Sequence, residues 1–153
     1  MKDVNEPKLP RHTSFGWLIA VLGADMTESL NLRLKEIGLH IGLWPTLFAL
    51  WEEEGLTQAQ LSKQCGTANY TTTRVLDTLE SKGLAERRPH PTNRRVHLIY
   101  LTKKGRQLEK QAAAIAGSCN EEFLSALSAQ ERKQIMALVF KITAARIPAL
   151  NEH

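Results

Sequence analysis

Cysteine is scarce in this chain: Cys65 and Cys119 are the only two in 153 residues. They stand far apart, with no CxxC pair and no Cys/His spacing of the kind that holds zinc. That excludes a disulfide framework and fits a reducing, cytoplasmic setting. The five histidines, His12, His40, His90, His97 and His153, do not cluster either, so no metal is expected. A Gly-rich phosphate loop, a nucleophile motif and a carboxylate pair near a histidine are all missing. The expectation is therefore a protein that is not an enzyme and carries no cofactor. Glu52-Glu53-Glu54 reads as a solvated run at a helix end. Long hydrophobic runs are missing too, so no membrane crossing is expected. The apolar run at 15–24, preceded by Lys2, Lys8 and Arg11, has the outline of a leader peptide. Asp3 and Glu6 dilute its basic start, and Asp25 stands where a cleavage site would be. The apolar pattern then continues at helical spacing through Met26, Leu30, Leu34 and Ile37, which makes the segment a structural helix. Internal repeats and low-complexity tracts are absent.

What is present is a core-forming composition, 42% hydrophobic and 24% charged, in a length suited to one domain. Charge is unevenly placed. Residues 70–106 hold nine basic side chains, Arg74, Lys82, Arg87, Arg88, Arg94, Arg95, Lys103, Lys104 and Arg106, against three acidic ones, Asp77, Glu80 and Glu86. This stretch carries +6 and the remainder −2, within a total of +4. A basic block on a slightly acidic body is the footprint of a face that meets a polyanion. A plain solvated surface is the competing reading of the charge taken alone.

Hydrophobic spacing predicts six helices and a hairpin. Residues 1–12, with Pro7 and Pro10, read as a flexible arm. A helix capped by Thr13 or Ser14 runs to about 37, with Phe15, Leu18, Ile19, Leu22, Met26, Leu30, Leu34 and Ile37 on one face; Gly38 stops it. A second spans about 44–54, with Pro45 in its first turn. Thr57 and Gln60 form a capping box opening a short third helix around Leu61. Asn69 is expected to cap the fourth, which runs to Lys82 with Val75, Leu76 and Leu79 inward. Strands at 84–88 and 96–101 flank a turn-rich tip. Thr102 caps a long fifth helix towards Leu127, with a bend or break expected at Gly117-Ser118. Ser128 and Glu131 form the capping box of the last helix, whose Ile135, Leu138, Val139 and Ile142 share a face and which Pro148 ends.

The short third and fourth helices, joined by Gly66-Thr67-Ala68, have helix-turn-helix length. The fourth would enter a major groove by its N-terminal turns. There stand Asn69, Tyr70, Thr71, Thr72, Thr73 and Arg74. An arginine can bond guanine through two of its N–H groups, and hydroxyls suit phosphates or a thymine methyl. A poorly helical first turn without function is the plain alternative. The hairpin contributes Arg87, Arg88, His90, Asn93, Arg94 and Arg95. Arginines on a protruding tip suit a narrow minor groove; ordinary solvated charge is the alternative.

These pieces resemble the MarR family of winged helix-turn-helix transcriptional regulators. The matching segments are Gly55 to Leu61 (GLTQAQL), Thr72 to Leu84 (TTRVLDTLESKGL), Glu86-Arg87-Arg88, Arg94-Arg95 and Leu101 to Gly105 (LTKKG). The resemblance implies a mainly α fold with a small β-hairpin wing, the winged lobe at about 43–106 and dimerisation helices at about 13–38 and 107–148, within one domain from 13 to 153. It also implies a homodimer acting as a repressor on double-stranded DNA at a pseudo-palindromic operator. In one respect the chain departs from the pattern: the wing aspartate before the paired arginines is Asn93 here. A neutral amide gives weaker hydrogen bonds than a carboxylate, which leaves Asp77 as a candidate to orient a wing arginine.

Members of the family are released from DNA by small aromatic or phenolic ligands, or by oxidants acting on cysteine. Arg11, His12, Trp17, His40 and Trp44 are the candidate pocket; core tryptophans and surface histidines are the other reading. Cys65, beside the fourth helix, is the candidate redox residue, and a small buried hydrophobe is its alternative. A winged-helix module that binds protein instead of DNA is the competing class, but such a module has no need of +6 concentrated on this helix and wing.

Overall fold

The computed structural model describes residues 10–146 and divides into two units, one up to Ala116 and one from Gly117 onward. In chain order the elements are α1 (Phe15–Lys35), α2 (Trp44–Glu52), β1 (Leu56–Thr57), α3 (Gln58–Cys65), α4 (Asn69–Ser81), β2 (Ala85–Pro89), β3 (His97–Leu101), α5 (Lys103–Phe123) and α6 (Ala129–Arg146). Short 3-10 turns at Arg11–Thr13 and Ile41–Leu43 precede α1 and α2. The first of these orders the end of the segment expected to be an arm; residues 1–9 and the stop expected at Pro148 lie outside the described residues.

Local chemistry sets the helix starts. Ser14 caps α1 by accepting from the Trp17 N–H. Thr57 and Gln60 form the reciprocal capping box of α3, with distances of 3.2 and 2.8 Å. Gly66 ends α3 in the left-handed region, φ 61°, a conformation that disfavours any residue with a Cβ. Thr102 caps α5 by accepting from the Gly105 N–H. The cap of α4 differs from expectation. Ala68 holds that place with no side-chain bond, and Asn69 is the first helical residue. The α4 start is instead tied to α3: the Gln58 amide donates to the Asn69 carbonyl and the Thr73 hydroxyl.

Leucine dominates the core of the first unit. Leu34, Leu43, Leu47, Leu50, Leu61, Leu76, Leu79, Ile99 and Leu101 are fully buried, and Trp44, Trp51, Val75, Leu108 and Ile115 pack against the cluster. Three antiparallel strands are ordered β1-β3-β2, with Leu56 opposite Ile99 and Arg87 opposite Ile99 on the other side. The hairpin expected from the sequence is thus the larger part of a three-stranded sheet. Two residues of β1 are too few to show an alternating pattern, and their pairing depends on a partner some forty residues away.

α5 is continuous through Gly117 and Ser118, so of the bend or break expected there, a break does not occur. A helical glycine costs only about 1 kcal/mol relative to alanine, which a helix of this length absorbs. In the second unit, Ser128 and Glu131 make the expected capping box. Arg132 bonds the Leu127 carbonyl and Glu121 within the same unit. No residue of α6 is buried: Met136, Leu138, Val139, Phe140 and Ile142 are all exposed. In the first unit, Phe15, Leu18, Ile19, Val21 and Leu22 of α1 are exposed as well.

Candidate nucleic-acid interface

The α3–α4 pair is held by hydroxyls as well as leucines. Thr72 is buried; its Oγ1 accepts from Ser62 Oγ at 2.8 Å, lies 2.9 Å from Thr67 Oγ1, and donates to the Ala68 carbonyl. This corrects the assignment of Thr72 to the DNA face, since a hydroxyl with its partners all inside the protein packs the two helices together. Thr73, half-buried, accepts from Gln58 at 2.7 Å and donates to the Asn69 carbonyl, so its hydroxyl also faces the α3 contact. Asn69, Tyr70, Thr71 and Arg74 remain exposed. Arg74 stands one turn after Tyr70, with its guanidinium carbon 4.7 Å from the ring centroid. That stacking extends a flat cation at the surface, worth about 0.5–1 kcal/mol when exposed.

The wing tip closes on itself. The His90 N–H donates to the Val96 carbonyl and the Val96 N–H to the Asn93 carbonyl, both at 2.9 Å. Asn93 Oδ1 accepts from the Arg95 N–H at 3.1 Å, and His90 Nδ1 accepts from the Thr92 N–H at 3.2 Å. Asparagine's ability to bond the backbone two residues on makes a tight turn here without an aspartate. His90 and Asn93 therefore spend these side-chain acceptors inside the loop. Arg94 and Arg95 are exposed, and no ion pair among the described residues holds either one.

The other arginines of the basic block are held. Arg87 pairs with Glu80 and, at 2.8 Å, with Asp77, so its guanidinium is shared between two carboxylates within the lobe. Arg88 bonds Glu86 at 2.6 Å and lies 4.3 Å from the centre of the Tyr100 ring. Arg106 grips both oxygens of Glu54 at 2.6 Å, and Glu54 also accepts from the Leu101 N–H. The Arg106 hydrogen bond, helped by that N–H, pulls the Glu54 carboxyl below its usual range despite partial burial. Asp77 and Glu80 recur at helical spacing after Thr73, a stripe legible in the sequence once the strand beside it is known.

A cleft of about 430 Å³ opens between the starts of α3 and α4 and the base of the wing, lined by Thr57, Gln58, Asn69, Arg87, Arg95 and His97. The residues proposed for a pocket elsewhere have separate surroundings. Trp44 packs on Phe48 and Trp51 at centroid distances of 5.9 and 5.8 Å, and Trp51 bonds the Gly105 carbonyl. His40 accepts from the Gly42 N–H, while Arg11, His12 and Trp17 are exposed. Cys65 is half-buried with its sulfur 4.0 Å from the Thr46 hydroxyl, and burial pushes its thiol pKa up. Cys119 is buried. Among the described residues no group of three or more His, Cys, Asp or Glu is placed to hold a metal ion, and no helix is long and apolar enough to cross a membrane.

Comparison with known proteins agrees with this geometry. The model of the MarR family matches residues 39–97, which takes in α2, the α3–α4 pair and most of the wing. A MarR transcriptional regulator from Methanosarcina mazei Go1 is similar over 88% of this chain and 96% of its own, at 25% identity and a TM-score of 0.81. A mutant MarR from E. coli, solved with operator DNA, is similar over 83% of this chain and 91% of its own, at 27% identity and a TM-score of 0.75. CouR from Rhodococcus jostii RHA1, solved with p-coumaroyl-CoA, shares the fold over 92% of this chain and 97% of its own, at 22% identity and a TM-score of 0.77.

Proposed function

We propose that this chain, a transcriptional regulator of the MarR family, is a repressor that binds a pseudo-palindromic operator as a homodimer. The observation that carries this reading is the division of its arginines. Arg74 at the exposed start of α4 and Arg94 and Arg95 at the wing tip are the arginines of the basic block left without a carboxylate partner among the described residues. A recognition helix in the major groove and a tip at the neighbouring minor groove would use them for base edges and phosphates respectively. The exposed Tyr70, Thr71 and Asn69 complete the helix face. The solved relative that carries operator DNA supports the assignment.

The dimer is supported by the apolar side chains exposed along α1 and along α6, too many large ones for a surface in contact with water. Terminal helices interlocked between two copies would cover them, and two-fold symmetry would set the half-sites about one helical turn apart. Release by a small aromatic acid or its thioester is the accompanying reading, in line with the ligand of the CouR structure. A panel of such acids, screened for a rise in melting temperature and for loss of DNA binding, checks it. Selection of duplexes from a randomised pool tests the function itself. A recovered inverted repeat with half-sites one turn apart supports it, and a pool that stays random contradicts it.

A further inference from the structure

Arg87 is the third residue of β2, yet its side-chain hydrogen bonds run to α4. Its backbone N–H donates to Glu80 Oε1 at 2.9 Å, its Nη1 pairs with Glu80 Oε2, and its Nη2 donates to Asp77 Oδ1 at 2.8 Å and to the Thr73 carbonyl at 3.4 Å. Thr73, Asp77 and Glu80 follow one another along a single stripe of the recognition helix. Thr73 is in turn bonded to Gln58 at the start of α3. A flat five-donor fork thus joins β2, the wing's first strand, to the helix at three points spread over two turns. The wing arginines lie beyond this fork on the same hairpin.

Resting on the DNA-binding reading above, we propose that Arg87, Asp77 and Glu80 are positioning residues. They fix the wing to the recognition helix, so that Arg94-Arg95 and Arg74 meet adjacent grooves in register, and Arg87 itself contacts no phosphate. Two carboxylates on a DNA-facing lobe oppose binding by simple Coulomb repulsion. Their presence in a basic block is accounted for by this mechanical role, which gives the proposal a test of sign.

The test uses the full-length protein, the duplex that the parent selects from a randomised pool, and a scrambled duplex of equal length. Asp77→Asn and Glu80→Gln each remove a negative charge from the lobe. Electrostatics alone makes both variants bind both duplexes more tightly. The clamp gives the opposite result on the selected duplex, roughly tenfold weaker binding, with binding to the scrambled duplex unchanged or tighter. Adding Arg87→Gln to Glu80→Gln then costs no more than Arg87→Gln alone, because both remove one coupled unit. Melting temperature and solution mass are recorded for each variant. If an Arg87 or Glu80 variant fails to fold, Asp77→Asn carries the test, since that carboxylate is 61% exposed. Tighter binding of the neutral variants to the selected duplex, or additive losses in the double variant, overturns the clamp. A parent protein that selects no duplex overturns the regulator reading, and the clamp with it.

Discussion

Arg74 and the wing arginines differ in what they have to offer DNA, and their variants should differ accordingly. Arg74 sits at the end of α4 that would face base edges, steadied by the Tyr70 ring. Arg74→Ala should weaken binding to the preferred duplex by about 1–3 kcal/mol and leave scrambled DNA far less affected. Arg94→Ala or Arg95→Ala should weaken both and lower the salt slope by roughly one each; titrations across a salt series separate the two patterns. Cys65 makes a third case. Its thiol pKa is raised by burial, so the unreactive protonated form prevails at neutral pH. Cys65 should react with an alkylating reagent more slowly than a free thiol at pH 7, with the gap closing only as pH rises well into the alkaline range; rapid labelling in a Cys119→Ala background would contradict this.

Among the elements, the junction between sheet and α5 is the most tightly built. Gly105 is buried in the first turn of α5, and a Cβ there would stand 2.0 Å from the Leu84 carbonyl oxygen, a backbone atom that cannot swing aside. Gly105→Ala should destabilise the lobe by about 3 kcal/mol or more, beyond ordinary overpacking, as read from denaturant melts. Glu54 clamps the same region through Arg106 and the Leu101 N–H. Because its pKa in the folded protein is lowered, its stabilising effect is complete at neutral pH and is lost in acid as pH falls through the lowered value. Glu54→Gln should therefore narrow the stability difference between pH 7 and pH 3, and the effect is modest because the Arg106 end of the pair is half exposed to water. Much of this level was legible in the sequence: Thr57-Gln60 and Ser128-Glu131 announce two helix starts by chemistry that is purely local, and Leu76 and Leu79 mark the buried face of α4. β1 was not legible, because two residues gain strand character only from β3. Thr72 departs from its expected place for a related reason. Type and position on the motif put its hydroxyl at the DNA face, but Ser62 claims it, and that partner is brought close only by folding.

On the scale of the whole molecule, the exposed apolar residues of α1 and α6 lead to the expectation of a dimer at micromolar concentration. Leu138→Glu with Phe140→Glu should yield monomers by light scattering, with the winged lobe still folded by circular dichroism and with operator affinity greatly reduced. The central claim, a sequence-specific regulator that reads DNA through α4 and the wing, is tested most directly by fluorescence anisotropy. The duplex is the one recovered by selection, titrated with the full-length protein at two salt concentrations against a scrambled control. The account predicts one dimer per duplex, affinity at least about a thousandfold above the control, and a steep fall with salt. Equal affinity for both duplexes, or binding indifferent to salt, would contradict it.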